Sequence, residues 1–355
     1  MQRIKAESSK DRNHEVCILR ETNTDRGANH MIKRVMIDMP ASAGIRAVLD
    51  ERNDVEYDEF TERSEDNIVQ HIGNYDAVIL GTTPFTARII EATSRLKIVS
   101  RFGVGYDNVD LDALTREGIP LAVVGTANSV TVAEHALMFM LALSKRIVAF
   151  DREVRQGIWA RWEYPAIDLA GRKVLILGFG RIGRRLVKRC LGMDMTVLVH
   201  DPYVIQDAIT TAGATPIADW RATLPKIDFL SVNCPKTAET NGMVGAAELS
   251  AMRKTAYVVN TARGGIVDET ALCEALKTEI IAGAGIDPFV VEPASTDHPL
   301  LALPNILVSP HSAGVSEESI YRMGYHAAKN VVDCFDGVLN QENVVNVSFV
   351  NNLAS

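Results

Sequence analysis

Residues 173–187 read Lys-Val-Leu-Ile-Leu-Gly-Phe-Gly-Arg-Ile-Gly-Arg-Arg-Leu-Val, which is typical of a buried strand, a tight glycine turn and a helix start. The three glycines have the G-x-G-x-x-G spacing of a dinucleotide site. There the first permits the turn, the second lets the backbone approach a pyrophosphate, and the third lets helix and strand pack closely. The N–H groups at the helix start would face the phosphates. The predicted cofactor contacts of this turn are Gly178, Phe179, Gly180, Arg181, Ile182 and Gly183.

An acidic residue, Asp201, follows the last glycine of this turn by 18 residues, at the end of the apolar run Thr196–Val199. A carboxylate at that position accepts hydrogen bonds from a ribose 2′-OH and repels a 2′-phosphate. Residues 200–203 supply no arginine or lysine that would favour the phosphate. The sequence therefore predicts NAD rather than NADP as the cofactor.

The composition excludes several classes of function. The chain has 355 residues, long enough for two domains, and 37 basic against 45 acidic residues give a formal charge of −8. Without a basic block we expect no nucleic-acid partner and no membrane surface, and the apolar runs are too short to cross a bilayer. The five cysteines have no metal-like spacing, so we expect no metal, reduced thiols and a cytoplasmic protein.

Short β-branched runs alternate with helical stretches along most of the chain, which favours parallel α/β sheets. Two long helices are predicted, one from about Ser129 towards Arg155 and one over about 317–335. The strands predicted before the first helix are Arg34–Ile37, Ala77–Leu80, Lys97–Ser100 and Leu121–Val123. Those predicted between the two helices are Val174–Leu177, Thr196–Val199, Asp228–Val232, Ala256–Asn260, Ile281–Ile286 and Ile306–Val308.

We predict an α/β fold with two Rossmann-like, doubly wound parallel-sheet domains. The NAD-binding domain, residues 127–316, is inserted into a flavodoxin-like substrate domain made of residues 31–126 and 317–347. Residues 1–30 are polar, carry both signs of charge and lack periodicity, so we expect a flexible extension there. The cleft between the domains would hold the substrate.

Polar side chains follow four predicted strands of the second domain, at the sheet edge where such sites form. Taken singly, each has a structural explanation: His311 could be a satisfied histidine, Arg263 a surface cation, Glu292 a loop carboxylate and Asp287 a helix cap. Together they match what hydride transfer to a 2-keto acid needs. A cation holds the carboxylate, an acid protonates the developing alkoxide, and a carboxylate keeps that acid charged.

These motifs resemble the D-2-hydroxyacid dehydrogenases, the family that includes 3-phosphoglycerate dehydrogenases and glyoxylate/hydroxypyruvate reductases. The resemblance covers about residues 31–345, and its motifs are the glycine turn, Asn260-Thr-Ala-Arg-Gly-Gly265, Asp287 with Glu292, and Ser309-Pro-His311. It implies that Arg263 binds substrate, that His311 is the general acid/base with Glu292 as its partner, and that Asp287 lies near the nicotinamide.

The resemblance also implies a homodimer built on the first long helix and the loop around Trp159.

Further cofactor contacts are expected at the strand ends, among them Cys234. The structural alternative for Cys234 is a small buried side chain that only fills space. The cofactor contacts expected at the strand ends are Asn233, Cys234, Pro235, Thr261, Ala262, Asp287 and His311.

The first domain supplies the expected substrate wall. Arg101-Phe-Gly-Val-Gly105 follows a strand and can form an anion nest, and the resemblance points to the amides of Val104 and Gly105. The loop 81–86, with Thr83 as a further candidate contact, carries no arginine for a phosphate. This favours a small unphosphorylated keto acid such as hydroxypyruvate or glyoxylate, although Arg161 or Arg101 could hold a phosphate.

Two alternatives stay open at the level of the sequence. One is D-3-phosphoglycerate dehydrogenase. The other, from a different class, is an NAD(H)-sensing corepressor that uses the same fold as a binding platform. Formate dehydrogenase is disfavoured, because it carries glutamine where Glu292 stands.

Overall fold

The computed structural model describes residues 31–159, 162–163 and 165–346. The predicted flexible extension, residues 1–30, and the candidate phosphate ligand Arg161 lie outside these residues. Among the described residues, no helix is both long and apolar enough to cross a lipid bilayer.

The first domain is a parallel sheet of five strands in the order β2-β1-β3-β4-β5, the doubly wound order of flavodoxin-like folds. Its core residues lie on both faces of the sheet, as the continuous apolar strands require. The strands are β1 Lys33–Ile37, β2 Val55–Glu59, β3 Ala77–Leu80, β4 Ile98–Arg101 and β5 Leu121–Ala122. The helices between them are α1 Ala43–Leu49, α2 Glu65–His71, α3 Ala87–Glu91 and α4 Leu111–Arg116, with a 3₁₀ turn at Ile72–Asn74.

Two helices follow the first sheet along the chain, α5 Ser129–Lys145 and α6 Ile147–Arg155. The sequence predicted one continuous helix here, and this was wrong. Arg146 has a left-handed backbone with φ 52°, which ends α5 and starts α6 at a new angle.

The second domain is a parallel sheet of seven strands in the order β12-β11-β10-β9-β6-β7-β8, which is a Rossmann order extended by one strand. The strands are β6 Lys173–Leu177, β7 Thr196–His200, β8 Thr215–Pro216, β9 Phe229–Val232, β10 Tyr257–Asn260, β11 Gly283–Ile286 and β12 Ile306–Val308. The helices are α7 Arg181–Leu191, α8 Gln206–Thr211, α9 Ala246–Ala251 and α10 Glu269–Lys277, with 3₁₀ turns at Arg221–Lys226 and Pro299–Ala302.

The last helix, α11 Glu317–Phe335, returns to the first domain and packs on α1. The crossing is close because a Cβ at Gly44 would lie 2.0 Å from the carbonyl oxygen of Tyr321. A final 3₁₀ turn, Gln341–Asn343, leads to a bridge between Val344 and Ala122 of β5. The predicted fold class is confirmed, whereas the residue boundaries of the domains stay predictions.

Two edge strands were not predicted. β2 reads Val-Glu-Tyr-Asp-Glu and buries only Val55 fully, so it lacks the apolar run of a central strand. β8 is two residues long and contains Pro216, which is tolerated at a sheet edge.

Candidate active site

The glycine turn between β6 and α7 shows three separate roles for its glycines. Gly178 has φ 100°, and a Cβ there would lie 2.8 Å from the backbone of Asn233. A Cβ at Gly183 would lie 2.1 Å from the carbonyl oxygen of Gly178, whereas one at Gly180 would meet nothing within 4 Å. The open side at Gly180 leaves room for a phosphate to approach the backbone at the start of α7.

The Asp201 carboxylate lies beside this turn, at the end of β7. One oxygen accepts a hydrogen bond from the N–H of Phe179 at 2.7 Å, and the other accepts one from Tyr203 at 2.9 Å. Each oxygen can accept a further bond, since a carboxylate has about four lone-pair positions. The acid is therefore fixed where a ribose hydroxyl would meet it.

The ends of β9 and β10 carry buried polar atoms without partners. Oδ1 of Asn233 and Oγ1 of Thr261 are buried and have no hydrogen-bond partner among the described residues. Buried polar atoms are seldom left unpaired, so these two fit a bound group that supplies the missing partners. The open glycine turn, the fixed Asp201 and these two atoms together fit NAD.

Two other predicted cofactor contacts lie in the same loop. Cys234 is partly buried, and this burial raises the pKa of its thiol to about 11, so the thiol is protonated near pH 7. The carbonyl of Pro235 accepts a hydrogen bond from the Thr240 hydroxyl at 2.7 Å, which closes the loop after β9.

The turn that carries Arg263 is held by the last residue of β10. The buried Asn260 side chain accepts a hydrogen bond from the Ala262 N–H at 3.0 Å and donates one to the Arg263 carbonyl at 2.9 Å. Gly264 lets the loop after β11 approach, because a Cβ there would lie 2.1 Å from the carbonyl oxygen of Phe289. A side chain at this position would separate the Arg263 turn from the loop that carries Glu292.

The Arg263 guanidinium points into the cleft between the domains. Its Nη1 donates to the Ala262 carbonyl at 2.7 Å, and its Nε donates to the Asp107 carboxylate of the first domain at 2.6 Å. The predicted substrate-binding cation therefore lies beside the predicted nest at Gly105, which it reaches across the cleft.

His311 and Glu292 form a hydrogen-bonded pair. Nδ1 of His311 lies 2.7 Å from a Glu292 carboxylate oxygen. Because a carboxylate only accepts, Nδ1 carries the proton, and Nε2 has no hydrogen-bond partner among the described residues. The other Glu292 oxygen accepts the N–H of Phe289 at 2.9 Å, which fixes the carboxylate.

Asp287 is buried and holds the loop that presents His311. Its carboxylate accepts hydrogen bonds from the Ser309 hydroxyl at 2.5 Å, from the Ser312 N–H at 2.8 Å and from the Ala313 N–H at 3.0 Å. His311 has φ 51°, a left-handed backbone that costs a non-glycine residue about 1–2 kcal/mol. Asp287 therefore supports the His311 loop directly, and its contact with the nicotinamide stays a prediction.

A histidine of the first long helix, His135 of α5, extends this network. Its Nε2 lies 2.9 Å from the Ser309 hydroxyl, which itself donates to Asp287. Burial lowers the pKa of His135, and the nearby Asp287 charge opposes this only in part. His135 is therefore a neutral donor near pH 7.

The nest in the first domain has free donors. Gly103 has φ 146°, and the amides of Val104 and Gly105 donate to no acceptor among the described residues. The predicted contact Thr83 is buried in the neighbouring loop, where Asn108 donates to its carbonyl at 2.7 Å. Together these groups form the first-domain wall of the cleft.

Arg101 lies behind the nest. Its Nη1 donates to the carbonyls of Leu80 and Phe102, and its buried Nε has no partner among the described residues. Burial lowers the pKa of Arg101 to about 10, with Asp38 acting in the opposite direction. The guanidinium is still charged near pH 7.

Residues 137–313 match the family model described as D-isomer specific 2-hydroxyacid dehydrogenase, NAD binding domain. A glyoxylate reductase of Korarchaeum cryptofilum is 37% identical over 270 residues, which cover 75% of this chain and 81% of the relative. The chain belongs to the D-isomer specific 2-hydroxyacid dehydrogenase family. It carries the NAD-binding domain of that family, as the glycine turn predicted.

Other members of the family differ in length and named activity. A D-3-phosphoglycerate dehydrogenase of Archaeoglobus fulgidus is 36% identical over 297 residues, which cover 83% of this chain and 56% of the relative. The chain thus spans a little over half the length of this relative. A solved NAD-dependent formate dehydrogenase of Staphylococcus aureus, in complex with NAD, is 28% identical with a TM-score of 0.77, covering 88% of this chain and 98% of that one.

Three supporting residues were not predicted from the sequence: Asp107, His135 and Asp38. Asp38 is buried at the end of β1 and accepts the N–H of Gly81, which holds the loop next to the nest. Its position at a strand end was a usable signal. His135 and Asp107 gave no usable sequence signal, because each contacts a residue more than a hundred positions away in the chain.

Proposed function

We propose that this protein is an NAD-dependent dehydrogenase that transfers a hydride between NAD(H) and C2 of a small D-2-hydroxy acid or 2-keto acid. The observation that carries the proposal is the His311–Glu292 pair at 2.7 Å, on the same sheet edge as the glycine turn and Arg263. An acid, its carboxylate partner and a carboxylate-binding cation are what keto-acid reduction requires.

The proposed mechanism assigns one task to each group. NADH held by the glycine turn and Asp201 would supply the hydride to C2. Arg263 and the free amides of Val104 and Gly105 hold the substrate carboxylate, and Arg263 polarises the carbonyl oxygen. His311 donates a proton from Nε2 to the developing alkoxide, while Glu292 stabilises the imidazolium and fixes its orientation.

We infer that the substrate is unphosphorylated, of the hydroxypyruvate or glyoxylate type. The loop 81–86 that lines the first-domain wall contains no arginine or lysine. A phosphate held without charged donors would be bound weakly. The glyoxylate reductase among the relatives supports this choice.

The second candidate substrate is the phosphorylated acid, as in D-3-phosphoglycerate dehydrogenase. Arg101 favours it, because its guanidinium is charged, lies behind the nest and keeps a buried Nε without a partner. Several relatives carry the name D-3-phosphoglycerate dehydrogenase. Both candidates use the same proposed hydride transfer and differ only in the cation set around C3.

The test is NADH oxidation with glyoxylate, hydroxypyruvate and 3-phosphohydroxypyruvate, each repeated with NADPH. We expect turnover of an unphosphorylated acid with NADH and loss of turnover in Arg263→Ala. Preference for the phosphorylated acid would support the second candidate and assign Arg101 to the phosphate. NADH binding without turnover of any acid would support the NAD(H)-sensing corepressor instead.

We also propose a homodimer formed through α6 and the loop that follows it. Apolar side chains of this segment face solvent in the single chain, including Ile147 at 55% and Trp159 at 78% exposure. Exposed apolar side chains clustered in one segment are typical of an interface. Sedimentation analysis should give twice the chain mass, and Trp159→Ala with Ile147→Ser should shift the equilibrium towards the monomer.

A further inference from the structure

Arg263 makes an ion pair with a residue that no motif of the sequence analysis assigned. Its Nε lies 2.6 Å from Asp107, which follows the nest in the first domain. Among the salt bridges between described residues, this is the one that joins the two domains. It therefore spans the cleft in which substrate is expected to bind.

The pair fixes the plane of the guanidinium. Nη1 is held by the Ala262 carbonyl at 2.7 Å, and Nε is held by Asp107, so two contacts on a rigid planar group set its orientation. The remaining nitrogen, Nη2, lies against Gly105, where a Cβ would be only 1.6 Å away. Nη2 therefore lies beside the nest.

The contribution of this pair to stability is small. The side chains of Arg263 and Asp107 are 30% and 59% exposed, and solvent screens an ion pair at such a site. An ion pair that adds little to the stability of the fold can still matter for catalysis. A displacement of a substrate-binding group by about 1 Å can lower activity by about a hundredfold. The consequence of losing Asp107 should therefore appear in catalysis rather than in folding.

We propose that Asp107 is a positioning residue that holds Arg263 across the cleft, so that Nη2 and the Val104–Gly105 amides bind one substrate carboxylate together. The proposal rests on the proposed function of the same site. Asp107 itself touches no reacting atom and acts through Arg263.

The experiment compares Asp107→Ala and Asp107→Asn with the parent protein. We expect Asp107→Ala to lower kcat/KM for the keto acid at least about tenfold, with NADH affinity and Tm unchanged. Asp107→Asn should recover part of this loss, because its amide oxygen still accepts from Nε. The matched control is Asp66→Asn, which removes a carboxylate 2.6 Å from Arg88 in the same domain and should leave kcat/KM unchanged.

A double-mutant cycle with Arg263→Met tests whether Asp107 acts through the arginine. Methionine has neither a charge nor an N–H donor for Asp107, so Asp107→Ala should add little to the loss in that background. Fully additive losses would overturn the proposal. So would an Asp107→Ala variant that matches the Asp66→Asn control, or one that lowers KM, since the latter would make Asp107 a competitor of the substrate.

Binding of oxamate, a keto-acid analogue that is not reduced, separates this inference from the proposed function. Quenching of NADH fluorescence reports oxamate binding without turnover. If the parent reduces no keto acid but binds oxamate more tightly than Asp107→Ala does, the proposed function fails and the positioning role stands. If oxamate does not bind the NADH complex of the parent, the positioning role is overturned as well.

Discussion

The Glu292 carboxylate accepts a hydrogen bond from Nδ1 of His311 at 2.7 Å. The two residues come from loops after different strands, β11 and β12, which are neighbours in the sheet. The contact therefore depends on the strand order and on Asp287, which ties the His311 loop to the end of β11.

Glu292→Gln should lower kcat for keto-acid reduction by about a hundredfold, within the range for general acid–base catalysis. The amide cannot stabilise the imidazolium as a carboxylate does, whereas binding of NADH should not change. Steady-state kinetics and NADH fluorescence titration measure the two effects. Glu91→Gln, at the exposed end of α3, is the control, and a kcat equal to that control would exclude this role for Glu292.

Gly105→Ala should abolish most keto-acid binding while the protein stays folded. The new Cβ would lie 1.6 Å from Nη2 of Arg263, so the guanidinium must move away from the nest. We expect kcat/KM to fall at least about tenfold. Gly73→Ala is the control, because its Cβ would have an ordinary contact of 3.6 Å with Ala92. Unchanged kinetics in Gly105→Ala would show that Arg263 does not need its present position.

His135 makes the stability of the protein depend on pH. Its pKa is lowered by burial from the ordinary value of 6.5, so below about pH 6.5 the unfolded chain binds a proton that the folded protein resists. Stability should therefore fall as the pH is lowered through this range. Urea unfolding at about pH 7.5 and about pH 5.5 should show a smaller loss for His135→Gln than for the parent. Parallel losses would contradict the prediction, and the exposed His326→Gln should follow the parent.

Cys234 should react slowly with thiol reagents in the folded protein. With a pKa raised to about 11, about one thiol in a thousand is ionised near pH 8. Mass spectrometry after iodoacetamide treatment should find Cys234 unmodified under conditions that label it fully in urea. Labelling of the folded protein at the rate measured in urea would show that the thiol is accessible and ionised.

The fold class and the NAD-binding turn followed from the sequence alone, and so did the choice of the second-domain residues proposed for the site. These are local signals: three glycines at fixed spacing, apolar strands, and polar residues directly after the strands. Parallel strands bring their carboxyl ends to one edge of the sheet, so residues that directly follow the strands were expected to lie at that edge. The edge strands β2 and β8 and the break at Arg146 were missed, because they have weak or no local signals.

How the parts of the proposed site come together depends on the tertiary structure. Asp107 meets Arg263 after 156 residues of intervening chain, and His135 reaches the Asp287 network through Ser309. Neither contact follows from periodicity or spacing. The first depends on how the two domains pack together, and the second depends on how α5 packs against the sheet of the second domain. Gly105 and Gly264 allow close approaches by Arg263 and by the backbone of Phe289, respectively. The need for glycine at these two positions can be recognised only when these neighbours are known.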